Sequence, residues 1–358
     1  MSGRRNRLLA LGATGISAVA AAVATGVVVE RRVVRKRHAG SDDADEFQSL
    51  SSSPVTVIAD DGVVLHAEVD EVAPYATDRT SDPDGTTVVF VHGYALDLDC
   101  WYFQRQHFRG KRRLVFYDQR SHGRSGRSSN QNATIDQLGR DLLSVLDHLV
   151  PDGKVILVGH SMGGMAIVAL AEQHPGLFGD RVVGVALVST TAGGMRTHKI
   201  LSPIIPERLA GTITPRVMAA LAKAPELVDS ARRRGSNIGY LVADRFAFGD
   251  DVPASYVEFV DQMLSRTSFE VLAQFFPNFD TLDKFSVLQA LDKTPTLIIC
   301  GDQDLLTAIG HSRKMASRMP HARLVEMPGA GHMVILERHT EVNAALAEMF
   351  VRTAGEVR

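Results

Sequence analysis

The ten residues VILVGHSMGG, residues 155–164, decide the fold of this chain. A run of four apolar residues typical of a buried strand leads into a Gly-x-Ser-x-Gly turn centred on Ser161, and a helical pattern, Met162–His174, follows. A sharp strand-to-helix turn strains the backbone of its serine, and glycines two residues before and after it relieve the crowding. The hydroxyl would then project above the sheet at a helix N-terminus, whose dipole favours developing negative charge. This context predicts a nucleophilic serine rather than a structural turn residue.

Apolar runs alternate with helical patterns on both sides of this turn. The first two runs, Val55–Ile58 and Val63–Val69, are joined by Asp60-Asp61-Gly62, which is typical of a hairpin. Further strands are predicted at Thr86–Val91, Arg113–Tyr117, Val155–Val158, Val182–Val188, Thr296–Cys300 and Leu324–Met327. Helices are predicted at Thr134–Val150, Met162–His174, Ala308–Met319 and Val334–Val351. The alternation predicts an α/β fold with a mainly parallel sheet covered on both faces and an antiparallel edge.

A serine hydroxyl is a weak nucleophile until a base, itself oriented by a carboxylate, takes its proton. We expect His332 to be the base, because it follows the predicted strand Leu324–Met327 at the carboxyl end, where open α/β sheets place their sites. The carboxylate should lie between serine and histidine in the chain, and one loop there offers two aspartates. We favour Asp304, which comes later in the loop and reaches farther over the sheet edge, and keep Asp302 as the alternative.

An acyl transfer also needs hydrogen-bond donors for the oxyanion. We expect one donor to be the backbone N–H of Met162, directly after the nucleophile, and the other to be that of Tyr94, in the loop after Thr86–Val91. His92 in the same loop is predicted to brace it by hydrogen bonding rather than to transfer protons. His160, beside the nucleophile, is expected to point elsewhere.

Residues 191–293 interrupt the alternation, since they contain helical pieces and several prolines but no clear strand run. We interpret them as a helical cap inserted into the core. They hold ten of the twenty-one Phe and Tyr residues of the chain, and most of these are expected to pack the cap itself while a few face the cleft.

The bulk composition narrows the function classes. The formal net charge of −2 conceals an asymmetry, because residues 1–40 carry eight Lys and Arg against one Glu and the rest of the chain is acidic. An acidic body gives no reason to expect nucleic-acid binding. Cys100 and Cys300 are too few for a disulfide framework and lack metal-ligand spacing. No motif indicates a metal, nucleotide or other cofactor.

Residues 8–29, LLALGATGISAVAAAVATGVVV, carry no charge and are flanked by Arg4, Arg5 and Arg7 and by five basic residues at 31–37. As a helix they would span roughly 33 Å, enough for a bilayer core. We expect a single N-terminal membrane anchor. The alternatives are a cleaved export signal, with Ala22-Val23-Ala24 as the cleavage site, and a soluble apolar helix. The greater number of basic residues after the run slightly favours a cytoplasmic location for the rest of the chain.

The chain as a whole resembles the capped branch of the α/β-hydrolase superfamily. The resemblance rests on VHGY at 91–94, YDQRSHGRSG at 117–126, VGHSMGG at 158–164, GDQD at 301–304 and GAGHM at 329–333, in the order of the family. It implies an eight-stranded sheet with a cap after the sixth strand, and the roles proposed above for Ser161, Asp304, His332, Tyr94 and Met162. Epoxide hydrolases and haloalkane dehalogenases of this fold carry Asp at the position of Ser161, so their chemistry is disfavoured.

The predicted organisation has five parts. These are an N-terminal anchor or signal-like segment (1–40), a flexible linker (41–54), the first part of the core (55–190), the helical cap (191–293) and the second part of the core (294–358).

The leading functional hypothesis is hydrolysis of a carboxylic ester, of a small-molecule or lipid-like ester or a thioester, through an acyl-enzyme. Two alternatives stay open. One keeps the triad but changes the reaction to cofactor-free perhydrolysis of the haloperoxidase type or to C–C bond hydrolysis. The other is a ligand receptor built on a hydrolase scaffold.

Overall fold

Eight short runs rich in Val, Ile and Leu form one sheet in the computed structural model, which describes Phe47 and residues 49–73, 85–196 and 243–356. The strands are β1 (Pro54–Ile58), β2 (Val64–Asp70), β3 (Thr87–Val91), β4 (Leu114–Tyr117), β5 (Val155–His160), β6 (Val182–Val188), β7 (Thr296–Gly301) and β8 (Arg323–Met327). Their order is β1-β2-β4-β3-β5-β6-β7-β8. β2 pairs antiparallel with β1 and β4, and all other neighbours are parallel. The mostly parallel, eight-stranded α/β-hydrolase sheet is confirmed.

Alternate residues of the central strands feed two separate cores. In β3, Val89 and Val91 pack on one face of the sheet, while Val88 and Phe90 pack on the other. Because both faces of these strands are covered, their side chains are apolar without interruption, as in other buried parallel sheets. Every predicted strand lies within two residues of its predicted ends, including the partly exposed strands β1, β2 and β8.

The α-helices of the described residues cover the sheet and fill the insertion between β6 and β7. They are α1 (Tyr102–Phe108), α2 (Ile135–Leu149), α3 (Met162–Gln173), α4 (Ala254–Arg266), α5 (Phe269–Phe275), α6 (Pro277–Thr281), α7 (Leu288–Leu291), α8 (Ile309–Ala316), α9 (Val334–Glu337) and α10 (His339–Glu356). Helices α2 and α3 lie on one face, with α1 and α10 on the other. Helices α4 to α7 lie within residues 243–293 of the stretch predicted as a cap, where residues 243–247 are helical as well.

Two helical regions differ from the sequence-based expectation. The predicted helix Val334–Val351 is two helices, because the backbone leaves helical geometry at Arg338, with φ −125° and ψ 40°. Helix α1 was not predicted, since its heptapeptide YFQRQHF has no apolar periodicity.

The end of the predicted flexible linker, 41–54, is instead docked on the core. Phe47 is buried against Tyr102, Phe103, Tyr256 and Phe259, with ring centroids 4.8 to 5.7 Å apart. The guanidinium group of Arg105 in α1 donates to the carbonyl of Leu50, and that of Arg109, directly after α1, donates to the carbonyl of Ser51. These hydrogen bonds hold the residues that follow Phe47. The polar, Ser-rich composition predicts a free tether, but one buried aromatic ring and partly buried hydrogen bonds offset the entropy of ordering the segment.

Within the described ranges, no helix is long and apolar enough to cross a bilayer. The predicted membrane span and N-terminal apolar helix, residues 8–29, lie outside those ranges.

Candidate active site

Ser161 occupies a strained turn between β5 and α3. Its backbone has φ 52° and ψ −117°, which non-glycine residues rarely adopt, and its N–H donates to Val188 O of β6 at 2.9 Å. The flanking glycines are required by space, because a Cβ on Gly159 would lie 2.6 Å from Gly164 N and one on Gly163 would lie 2.1 Å from Val91 O. Close contacts with Val188, Gly164 and Val91 therefore hold the turn in one conformation, which fixes the position of the Ser161 side chain.

The backbone around Ser161 leaves the first N–H groups of α3 directed at the turn. Met162 is the first helical residue, and the Ser161 carbonyl accepts from Gly164 N at 3.0 Å and from Thr190 Oγ1 at 2.6 Å. The initial N–H groups of a helix have no acceptor within the helix, and the dipole adds partial positive charge there. This end of α3 can stabilise an anion beside Ser161.

The loop after β3 passes close to Ser161. A Cβ on Gly93 would lie 2.9 Å from His160 Nδ1 and 3.2 Å from Ser161 Cβ, so a larger residue there would displace its neighbours. The next residue, Tyr94, donates its hydroxyl to Leu272 O at 2.6 Å and packs its ring edge-on against Phe279 at 5.1 Å. The structure thus brings the Tyr94 backbone to the site and ties its side chain to the helices between β6 and β7.

Asp304 and His332 meet at the carboxyl ends of β7 and β8. His332 Nδ1 lies 2.9 Å from Asp304 Oδ2, and both side chains are buried. Asp304 Oδ1 accepts the backbone N–H groups of Leu306 and Thr307 at 2.8 Å each, and Oδ2 accepts Thr307 Oγ1 at 2.8 Å. Every oxygen of this carboxylate is occupied, which fixes its plane and the orientation of the imidazole.

Asp302 has a different role in the loop, since its Oδ1 accepts the backbone N–H of Gly329 at 2.9 Å. It therefore shapes the turn before His332 without contacting the imidazole among the hydrogen bonds of the described residues. Of the two candidate aspartates, the structure places Asp304 beside the histidine.

The charge state of Asp304 follows from its partners. Burial acts to raise the pKa of this carboxyl group, but the charge of His332 and the hydrogen bonds from His332 and Thr307 outweigh it, so the pKa lies below its ordinary value. The carboxylate remains ionised in neutral solution and can stabilise a positive imidazolium next to it.

Two neighbouring histidines are buried and neutral. His92 Nε2 accepts the backbone N–H of Gln119 at 2.8 Å, so its Nδ1 carries the proton and donates to Gly93 O at 2.7 Å. Burial lowers the pKa of His92 to about 4 and, together with the charge of His332, that of His160 to about 3. His160 contacts the loop after β8, its Nε2 lying 3.0 Å from His332 O. Both histidine side chains therefore stabilise the backbone of the loops that they contact.

Three residues important to this arrangement were not singled out from the sequence: Thr190, Thr307 and Glu337. Thr307 stands three residues after Asp304, a spacing at which aspartate often accepts backbone N–H groups in a turn, so a weak signal existed. Thr190 and Glu337 act through contacts between distant parts of the chain, and nothing local marks them.

Several aromatic side chains of the insertion between β6 and β7 pack against the rest of the core rather than only against one another, which differs from the expectation that most of them pack the cap itself. Phe248, Phe275 and Phe279 are buried, and Phe275 also meets the ring of His122 at 5.5 Å.

In the part of the chain that the structure describes, no group of three or more His, Cys, Asp or Glu residues could hold a metal ion.

A family model described as the alpha/beta hydrolase fold matches residues 86–339 of this chain. The dihydrolipoyllysine-residue acetyltransferase component of the acetoin cleaving system of Pseudomonas putida is 28% identical over 260 residues. These are 72% of this chain and 62% of that protein, so this chain spans less than two thirds of its length. The 3-oxoadipate enol-lactonase 2 of Acinetobacter baylyi is 26% identical over 270 residues, 75% of this chain and 90% of that protein.

Among solved structures, a thermophilic esterase from Thermogutta terrifontis matches with a TM-score of 0.64 at 22% identity. The match covers 85% of this chain and 100% of the esterase. At that identity the likeness is one of fold.

Proposed function

The chain belongs to the alpha/beta hydrolase fold family, and we propose that it hydrolyses a carboxylic ester through an acyl-enzyme. In this proposal Ser161 is the nucleophile, His332 the general base and Asp304 the carboxylate that orients the base. The enol-lactonase among its relatives supports the substrate class, because a lactone is a cyclic ester.

In the first half-reaction, Ser161 Oγ attacks the ester carbonyl carbon while its proton passes to His332 Nε2. The carbonyl electron pair moves onto oxygen, and the backbone N–H groups of Met162 and Tyr94 stabilise that oxyanion. The tetrahedral intermediate then expels the alcohol, which takes the proton from His332. Asp304 keeps the Nδ1 proton on the imidazole and remains ionised throughout.

In the second half-reaction a water molecule replaces the alcohol. His332 takes a proton from water as its oxygen attacks the acyl carbon, and the collapse of the second intermediate returns that proton to Ser161 Oγ. The products are a carboxylic acid and the free enzyme. No cofactor is needed, since every proton and electron pair is supplied by the substrate, water and these side chains.

The observation that carries the proposal is the buried contact of 2.9 Å between His332 Nδ1 and Asp304 Oδ2. It lies at the carboxyl edge of the sheet, the edge at which the strained Ser161 turn also stands. The hydrogen bond between His160 and the His332 carbonyl joins the residue before the nucleophile to the residue that carries the base. These contacts support the proposal that the three side chains act together.

The acyl group is proposed to be apolar, of a small-molecule or lipid-like ester or thioester. Support comes from the aromatic residues Tyr94 and Phe279, which pack together beside the loop close to Ser161. A panel of p-nitrophenyl esters from acetate to laurate would measure the preference, and optimal turnover on the shortest acyl chain would argue against a lipid-like substrate.

We also propose that residues 8–29 anchor the enzyme in a membrane, on the strength of their length and flanking basic residues. Carbonate extraction of membranes from expressing cells tests this. The full chain should stay in the pellet and a chain starting at residue 41 should be released; release of both would contradict the anchor.

Turnover of p-nitrophenyl acetate tests the proposed chemistry. Ser161→Ala should lower kcat by roughly 10⁴-fold or more, because no other group supplies the nucleophile. Equal turnover by wild type and Ser161→Ala would contradict the mechanism, and absence of turnover with every ester would favour the receptor alternative. Peroxide-dependent peracid formation exceeding hydrolysis would favour perhydrolysis.

A further inference from the structure

The carboxylate of Glu337 binds three backbone N–H groups from two distant segments. Its Oε1 accepts the N–H of Gly331, directly before His332, at 2.7 Å. Its Oε2 accepts the N–H groups of Gly249 and Asp250 at 3.1 and 3.4 Å. One oxygen thus holds the loop of the proposed base, and the other holds a segment of the insertion between β6 and β7.

These two segments are packed backbone against backbone. We call residues 247–250 the return segment; Met333 N donates to its Ala247 O at 2.7 Å. A Cβ on Gly331 would lie 2.5 Å from Gly249 N, and a Cβ on Gly249 would lie 2.4 Å from Gly329 O. The close approach requires glycine on both sides, so the loop of His332 and the return segment form one layer.

Glu337 reaches this layer because α9 stops after one turn. Arg338 leaves helical geometry, and α10 begins after it. Burial raises the pKa of the Glu337 carboxyl group, although the N–H groups of Gly249, Gly331 and Asp250 act in the opposite direction. The partly buried Glu337 carboxylate is the acceptor for three backbone N–H groups. Because a buried N–H group without an acceptor costs free energy, these hydrogen bonds hold both segments in place.

We propose that Glu337 is a positioning residue for the base: it aligns His332 with Ser161 by fastening the loop that carries His332 to the return segment. The inference rests on the proposed function, because it assigns a part of the same reaction. It also makes the alignment of His332 depend on how the insertion between β6 and β7 is seated.

A second contact across the same layer supplies a matched control. Arg338 Nη2 pairs with the Asp250 carboxylate at 2.5 Å, and both side chains are partly exposed. Asp250→Asn removes this ion pair but keeps the Asp250 N–H and all hydrogen bonds to Glu337. Glu337→Gln keeps the shape of the side chain but places an amide donor against backbone donors.

The test compares steady-state kinetics on p-nitrophenyl acetate with the rate of phosphonylation of Ser161 by a fluorophosphonate. Glu337→Gln should lower kcat and the phosphonylation rate by about 10- to 100-fold while KM changes by less than about threefold, because misplacing a base by about 1 Å costs rate rather than binding. Asp250→Asn should stay within about twofold of wild type in both rates.

Glu337→Asp provides a second test in case Glu337→Gln does not fold. It keeps the charge, but its side chain is one methylene too short to reach both segments. Glu337→Asp should retain part of kcat, but both its kcat and its phosphonylation rate should lie below those of Asp250→Asn. Equal rates for the Glu337 variants and Asp250→Asn would overturn the inference. Failure of wild type to react with ester or fluorophosphonate would instead overturn the proposed function and the inference together.

Discussion

Among single side chains, the two aspartates after β7 differ in what they contact. Asp304 and Asp302 are two residues apart in one loop, yet one contacts His332 and the other a backbone N–H of the neighbouring turn. Because only Asp304 contacts His332, we assign the proposed catalytic role to Asp304 and a structural one to Asp302.

Substitution of these aspartates by asparagine separates the two roles. Asp304→Asn should lower kcat by about 10³- to 10⁴-fold, because the amide cannot stabilise the imidazolium and favours the wrong tautomer. Asp302→Asn keeps an oxygen acceptor for Gly329 N and should change kcat by less than about threefold. Steady-state ester kinetics on both variants checks this, and the reverse pattern would assign the carboxylate to Asp302.

Buried neutral histidines make stability depend on pH. Burial lowers the pKa of His122 to about 3, while an unfolded chain binds a proton near pH 6.5. Below pH 6.5 the unfolded state therefore holds more protons than the folded one. The contribution of this histidine to the free energy of unfolding is complete above pH 6.5 and falls by up to about 1.4 kcal/mol per pH unit below it.

The variant His122→Asn isolates this effect, because an asparagine amide can replace the Nδ1 donor that faces Arg120 O at 2.9 Å. Urea unfolding between pH 4.5 and 7 should show a shallower pH dependence for the variant than for wild type. Identical slopes would mean that His122 is not neutral in the folded protein.

Among the strands and helices, the junction of β5 and α3 has the least freedom. Gly163 lies so close to β3 that any side chain would collide with the Val91 carbonyl. Gly163→Ala should therefore displace Ser161 and abolish reaction with a fluorophosphonate. Gly176→Ala, where a Cβ meets no atom within 4 Å, should react like wild type. Labelling rates of the two purified variants test the requirement, and full reactivity of Gly163→Ala would refute it.

Docking of the segment before β1 is predicted to stabilise the core. Phe47 is 6% exposed and stacks on Phe259 of α4 at 4.8 Å. Phe47→Ala should lower the free energy of unfolding by about 3 kcal/mol, as for other buried phenylalanines, whereas Phe47→Leu should cost less. Urea denaturation measures both, and a loss below about 0.5 kcal/mol for Phe47→Ala would show that the segment is free in solution.

The strands and the turn at Ser161 could be predicted because their signals are local. Continuous apolar runs mark β3, β5 and β7, and the glycine spacing marks the turn. The docked Phe47 and the break after α9 could not, since each depends on groups far away in the chain. A lone aromatic residue in a polar stretch carries no periodicity, and Glu337 looks like any other helical glutamate until its three donors are in place.

In the molecule as a whole, the proposed site joins parts of the chain that are far apart in sequence. The nucleophile stands after β5, the carboxylate after β7 and the base after β8, and the parallel sheet brings all three ends to one edge. The insertion between β6 and β7 contacts the same edge at two places. Tyr94 donates a hydrogen bond to Leu272 O of α5, and the return segment accepts one from Met333 N. The central proposal is therefore that Ser161 is chemically activated by this assembly.

The most direct measurement of that claim is the mass of the intact protein after incubation with a fluorophosphonate, followed by peptide mapping. Wild type should gain one phosphonyl group, located on Ser161, while Ser161→Ala should gain none and His332→Ala should react at least about 10³-fold more slowly. Equal labelling of wild type and Ser161→Ala, or a phosphonyl group on another residue, would contradict the account.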